Sequence, residues 1–194
     1  AGLPDFVSSS AVVSGDIDQD GDLDLILSGV EEDGDSETYL CKNDGTGNFT
    51  VLSTSLPGTV NGGMDLGDYD QDGDLDLLLA GKNRTGEENE ANTAIYENDG
   101  TGTFTKVDAG LVDVGITYGG GSTGSTAEWG DLDADGDLDA IITGWVGYDD
   151  QARKTFVYRN EGDGAFNQVG SGLVGVSSGT TDWGDYDGDG DLDL

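Results

Sequence analysis

Gly15-Asp16-Ile17-Asp18-Gln19-Asp20-Gly21-Asp22-Leu23-Asp24 decides how the chain is read. The same pattern, G-D-x-D-x-D-G-D-L-D, returns over residues 67–76, 130–139 and 184–193. Counted from the first aspartate, acids stand at positions 1, 3, 5, 7 and 9, and glycine stands at position 6. Like charges packed this closely repel one another, and an ordinary turn has no use for them. A hard divalent cation that takes six to eight oxygen ligands does. The carboxylates of positions 1, 3, 5 and 9 converge on one point, position 7 offers its main-chain carbonyl, and the glycine permits the sharp bend. The pattern predicts four calcium loops.

These are not EF-hand loops, which need a bidentate Glu at position 12 and continue into a helix. Position 12 is Leu27, Leu79 and Ile142 in the first three copies. The runs that follow are Leu25-Ile26-Leu27, Leu77-Leu78-Leu79 and Ala140-Ile141-Ile142-Thr143, closed by Gly29, Gly81 and Gly144. Short apolar runs bounded by glycine read as buried strands. The ion is therefore expected in a strand–loop–strand connection. A single copy would be equally at home as a solvated acidic turn, but four copies with identical ligand spacing favour metal.

The chain has 194 residues, 34 % hydrophobic content, 35 glycines and a formal charge of −34. That length supports one domain with a substantial core, and the glycine content suits an all-β repeat. The charge argues against nucleic acid and anionic membranes. The chain has no histidine, which removes the commonest general base. With no visible nucleophile–base pair, the sequence reads as a non-enzyme. Cys41 is the single cysteine, so no intrachain disulfide forms, and it reads as a small buried filler. No apolar run approaches a membrane span. Loops of this kind in extracellular modules hold calcium at about 10⁻⁴–10⁻³ M, which favours a secreted or cell-surface setting. The sequons at Asn48 and Asn83 fit that setting as possible glycosylation sites, and chance matches are equally compatible.

A second motif recurs out of phase with the first: Asn43-Asp44-Gly45-Thr46-Gly47-Asn48-Phe49, Asn98-Asp99-Gly100-Thr101-Gly102-Thr103-Phe104 and Asn160-Glu161-Gly162-Asp163-Gly164-Ala165-Phe166. It reads as a hairpin turn, with Phe49, Phe104 and Phe166 opening the next strand and packing inward. Leu-Pro or Leu-Val joins place repeat 1 at 1–54, repeat 2 at 55–109, repeat 3 at 110–171 and a partial repeat 4 at 172–194. Intervals of 52, 63 and 54 between loops imply a repeat architecture, and four strands per repeat imply a propeller. In the first copy, strands are expected near 10–15, 23–29, 37–43 and 48–54. Leu66, Trp129 and Trp183 stand two residues before a first aspartate, where the first copy has Ser14, and read as core between blades.

These motifs resemble the FG-GAP and VCBS-type repeats of integrin-α-like β-propellers, and the likeness covers essentially the whole chain. It implies an all-β fold of four-stranded antiparallel blades and up to four Ca²⁺. The ligands carried over are Asp16, Asp18, Asp20, Asp22 and Asp24; Asp68, Asp70, Asp72, Asp74 and Asp76; Asp131, Asp133, Asp135, Asp137 and Asp139; and Asp185, Asp187, Asp189, Asp191 and Asp193. Family propellers usually close with about seven blades. Three complete repeats and a partial fourth do not close a ring, so a longer polypeptide or self-association into a ring or filament is expected. The resemblance implies an extracellular module for adhesion or binding with a glycan or protein ligand; the aromatics Tyr118, Trp145 and Tyr148 read as exposed candidate contacts. The alternatives are a subunit of an extracellular filament or surface layer and a non-catalytic propeller part of a polysaccharide-active enzyme.

Overall fold

The computed structural model describes residues 2–85, 88–115, 124–147, 153–162, 164–170, 172–188, 190 and 192–193. Tyr118, Tyr148, Asp163, Asp189 and Asp191 lie outside the described residues. The first sheet holds β1 (Ser8–Gly15), β2 (Asp24–Val30), β3 (Ser36–Asn43) and β4 (Phe49–Ser53). The second holds β5 (Val60–Gly67), β6 (Asp76–Thr85), β7 (Glu88–Asn98) and β8 (Phe104–Val107). The third holds β9 (Thr126–Gly130), β10 (Asp139–Trp145), β11 (Arg153–Asn160) and β12 (Phe166–Val169). Each sheet is an antiparallel meander whose strand order follows the sequence, as the repeat pattern predicts. The first strands β1, β5 and β9 stand beside one another, so the sheets sit side by side like propeller blades. Among the described residues there is no helix.

The second strand of each sheet is the most apolar because both of its faces are covered. Leu77, Leu78, Leu79 and Ala80 of β6 are all fully buried. Alternation along the strand sends Leu77 and Leu79 into the core shared with the first sheet, beside Ile26, Leu40 and Phe104. Leu78 and Ala80 enter the core shared with the third, beside Trp129, Ile142 and Tyr158. The outer strands β4, β8 and β12 are only four or five residues long, which limits an exposed edge.

Trp129 belongs to the core between sheets. It stacks on Tyr69 with centroids 5.9 Å apart and planes 2° from parallel, and Phe166 tilts against both rings. Neighbouring sheets approach closely here because the residue before each first aspartate is glycine. A Cβ on Gly67 would lie 2.6 Å from Leu138 and 2.8 Å from Trp129. Leu66 and Trp183 occupy the matching places against Gly15 and Gly130. Phe104 is buried, while Phe49 and Phe166 are half-buried, with Phe166 packed on the same cluster. Cys41 is a buried free thiol whose pKa burial pushes up, in keeping with a filler.

Candidate metal centres

Each acidic stretch forms the turn between the first and second strands of its sheet. Gly21, Gly73 and Gly136 at position 6 take φ of 93°, 96° and 97°, a bend that a side chain would strain. The position 1 carboxylates brace that bend from inside: Asp16, Asp68 and Asp131 accept the N–H of Gly21, Gly73 and Gly136, each at 3.1 Å. Identical spacing thus yields the same local fold three times.

Side-chain oxygens converge within 4.8 Å of one another in four places: Asp16, Asp18 and Asp20; Asp68, Asp70 and Asp76; Asp131, Asp133 and Asp139; Asp185, Asp187 and Asp193. The last three groups use positions 1, 3 and 9. The first uses positions 1, 3 and 5, and Asp24 stands outside it. Asp72 and Asp135, at position 5, stand outside the second and third groups.

Three position 9 aspartates, Asp24, Asp76 and Asp139, are fully buried and are the deepest charges among the described residues, while Asp193 is half-buried. They are held by main-chain donors. Asp76 accepts the N–H of Asn98 at 2.9 Å and of Tyr69 at 3.4 Å. Asp139 accepts those of Asn160 and Leu132, each at 2.8 Å. Two N–H donors do not offset desolvation of a carboxylate in a ring of other carboxylates. Burial therefore pushes the pKa of all three up, and that of Asp76 to about 7.

Oδ1 of Asp16, Asp18 and Asp68 is buried and accepts a hydrogen bond from no protein group. A buried anionic oxygen without a donor costs several kcal/mol. Hard oxygen donors of net negative charge, short of donors and gathered within one coordination radius, fit calcium.

The position 7 carboxylates serve the neighbouring contacts. Asp74 lies under Gly100 and Asp137 under Gly162, where a Cβ would come within 2.8 Å and 2.6 Å of a carboxylate oxygen. Gln19 of the first loop donates to the Gly73 carbonyl at 2.9 Å and to Asp74. Gln71 of the second donates to the Gly136 carbonyl at 3.1 Å and to Asp137 at 2.5 Å.

Two further links between loops escape a reading of the sequence. Position 2 is an apolar plug: Ile17 and Tyr69 are buried in the cores between sheets. The hairpin asparagine ties the second and third sheets to the loop before each. Asn98 donates to the Ile17 carbonyl and Asn160 to the Tyr69 carbonyl, both at 2.9 Å. Apolar residues set among aspartates, Ile17, Tyr69, Leu132 and Tyr186, are the signal that would have exposed the first link. The first hairpin is braced by Asp44, which accepts from Thr46 and Asn48; those bonds hold its carboxyl well below the usual carboxylate range.

Trp145 is not the exposed contact that the sequence suggests. It is half-buried, its indole N–H donates to Ser177 Oγ at 3.0 Å, and the Arg153 guanidinium lies 4.9 Å above its ring. Asn48 is exposed, with its amide bonded to Asp44 and Thr46; Asn83 is half-buried.

The buried carboxyls set a pH dependence. Unfolded, Asp76 titrates near 3.8; folded and metal-free, it titrates near 7. Between these values the folded chain holds more protons, so the contribution of Asp76 is full at low pH and is lost as pH rises through about 7. Metal-stripped protein should therefore have a higher urea midpoint at mildly acidic pH than at pH ~8. A midpoint that rises with pH over this range would contradict the burial described for Asp76.

Meander sheets whose first and second strands are joined by an acidic turn define a propeller-like repeat module. The chain belongs to the FG-GAP-like repeat family, which matches residues 16–79 and again 68–142. Each match runs from a first aspartate to position 12 of the following loop. No curated protein matches the chain. A solved structure described as the basis of specific recognition of non-reducing terminal N-acetylglucosamine by an Agrocybe aegerita lectin superposes with a TM-score of 0.50 and 21 % identity. The likeness covers 83 % of this chain and 37 % of that one, so the chain spans little more than a third of the lectin's length. Among the described residues, no helix is long and apolar enough to cross a membrane.

Proposed function

We propose that the chain is a non-catalytic, calcium-stabilised binding module that works outside the cell. The observation that carries this reading is the set of buried Asp oxygens without donors, gathered at the turns that join the first two strands of each sheet. Asp16, Asp18 and Asp20 would hold the first ion, Asp68, Asp70 and Asp76 the second, Asp131, Asp133 and Asp139 the third, and Asp185, Asp187 and Asp193 the fourth. Bound calcium supplies the positive charge that these carboxylates lack. The chain's own contribution is to fix them: position 1 braces the bend, position 9 anchors the turns of the first three loops to the hairpin asparagine, and position 2 locks the first two turns between sheets. Cation binding at the turn is thereby linked to packing between sheets.

The extracellular setting follows from the weak affinity expected of such loops, which fill at extracellular calcium and stay empty in cytosol. The role we assign is structural and adhesive: a rigid blade array presenting its loops to a glycan or protein. The lectin likeness supports a glycan only through the shared architecture. Calorimetric titration of metal-stripped protein with calcium should give exothermic or endothermic binding of three to four ions per chain, counted from the four Asp groups. Titration heats indistinguishable from buffer dilution would refute the reading.

A further inference from the structure

One residue differs between the repeats in a way that bears on the loops. The position just before the hairpin asparagine is Lys42 in the first sheet, Glu97 in the second and Arg159 in the third. The strand register aims it back at the loop of its own sheet. Lys42 Nζ lies 2.9 Å from Asp18 Oδ2, with the two side chains only 27 % and 18 % exposed. It cannot swing away without loss, because it also donates to the Thr101 carbonyl of the next sheet at 2.8 Å. The other oxygen of Asp18 is one of the buried oxygens without a donor. In the third sheet, Arg159 Nη1 stays 3.7 Å from Asp133 Oδ2, and Glu161 holds the guanidinium through Nε at 3.0 Å and Nη2 at 2.8 Å. Glu97 is exposed and brings a negative charge to the corresponding place in the second sheet.

We propose that this position grades the calcium affinity of the loops, with Lys42 as a built-in competitor at the first loop. The inference rests on the calcium reading above. The Lys42 ammonium occupies one oxygen of a position 3 ligand and repels an arriving divalent ion. Glu97 adds attraction at the second loop, and Arg159 is set back and neutralised by Glu161. The second loop therefore fills first, and the first loop is weaker than the third. Filling is graded over calcium concentration by one side chain per sheet.

The sign of the effect separates this role from a merely structural one. Lys42→Met keeps the aliphatic stem that packs near Gly102 and removes the charge. In calorimetric titration at low ionic strength, K42M should bind one calcium about tenfold more tightly than the wild type, and the gain should shrink as salt is added. E97K should weaken the tightest step by a similar factor. Metal-free K42M should melt below the metal-free wild type, because Asp18 and Thr101 lose a donor, yet its melting temperature should rise more on adding calcium. Calcium steps that are unchanged or weakened in K42M, with lower melting in both states, would overturn the inference and leave Lys42 a structural tie. A wild-type chain that binds no calcium would overturn the calcium reading itself, and the grading with it.

Discussion

Excess EGTA at neutral pH should lower the melting temperature by about 15 °C or more relative to saturating calcium. An ion that binds only the folded chain contributes ~2.7 kcal/mol when its free concentration is about 100 times its dissociation constant. Three or four such loops together contribute on the order of 10 kcal/mol, and a chain of this size shifts by roughly 2–4 °C per kcal/mol. The direction follows from the buried oxygens of Asp16, Asp18 and Asp68 and from the formal charge of −34, which favours expansion when the loops lose their cations. Differential scanning calorimetry in the two buffers measures it. Superimposable transitions would remove calcium from the account of stability.

Asp76→Asn is the single substitution expected to matter most. In calcium it should remove one ion from the titration and lower the melting temperature by about 6 °C or more, the loss of one loop's linkage energy. In metal-stripped protein at pH ~8 the same change should be close to neutral or stabilising. There it removes a carboxylate that burial disfavours, while the amide oxygen still accepts the Asn98 N–H. A structural aspartate with no metal role predicts equal losses in both conditions. Equal losses would count against the second metal centre.

Much of this architecture is legible in the chain itself. The strands of the first sheet lie within two residues of the bounds read from the acidic loop, the apolar run after it and the Asp-Gly hairpin. Those signals are local: charge repulsion, two-residue alternation and glycine conformation act within ten residues. What escaped depends on contacts between repeats. The Asn98–Ile17 and Asn160–Tyr69 bonds span 81 and 91 residues. Nothing around Asn98 alone says which loop it will tie. Trp145 misled for the same reason, because its partner Ser177 lies 32 residues away and turns an apparent surface aromatic into a packed one. The position 9 aspartates read as ligands in the sequence, but nothing around them announces the complete burial of Asp24, Asp76 and Asp139.

Diffraction from crystals grown in millimolar calcium tests the central claim most directly, at the second loop, which Gln19 of the first loop and Asn160 of the third sheet both contact. The account predicts a strong peak bonded to carboxylate oxygens of Asp68, Asp70 and Asp76 at calcium–oxygen distances of about 2.3–2.6 Å. An ordered turn with the same three carboxylates and no density between them would contradict it.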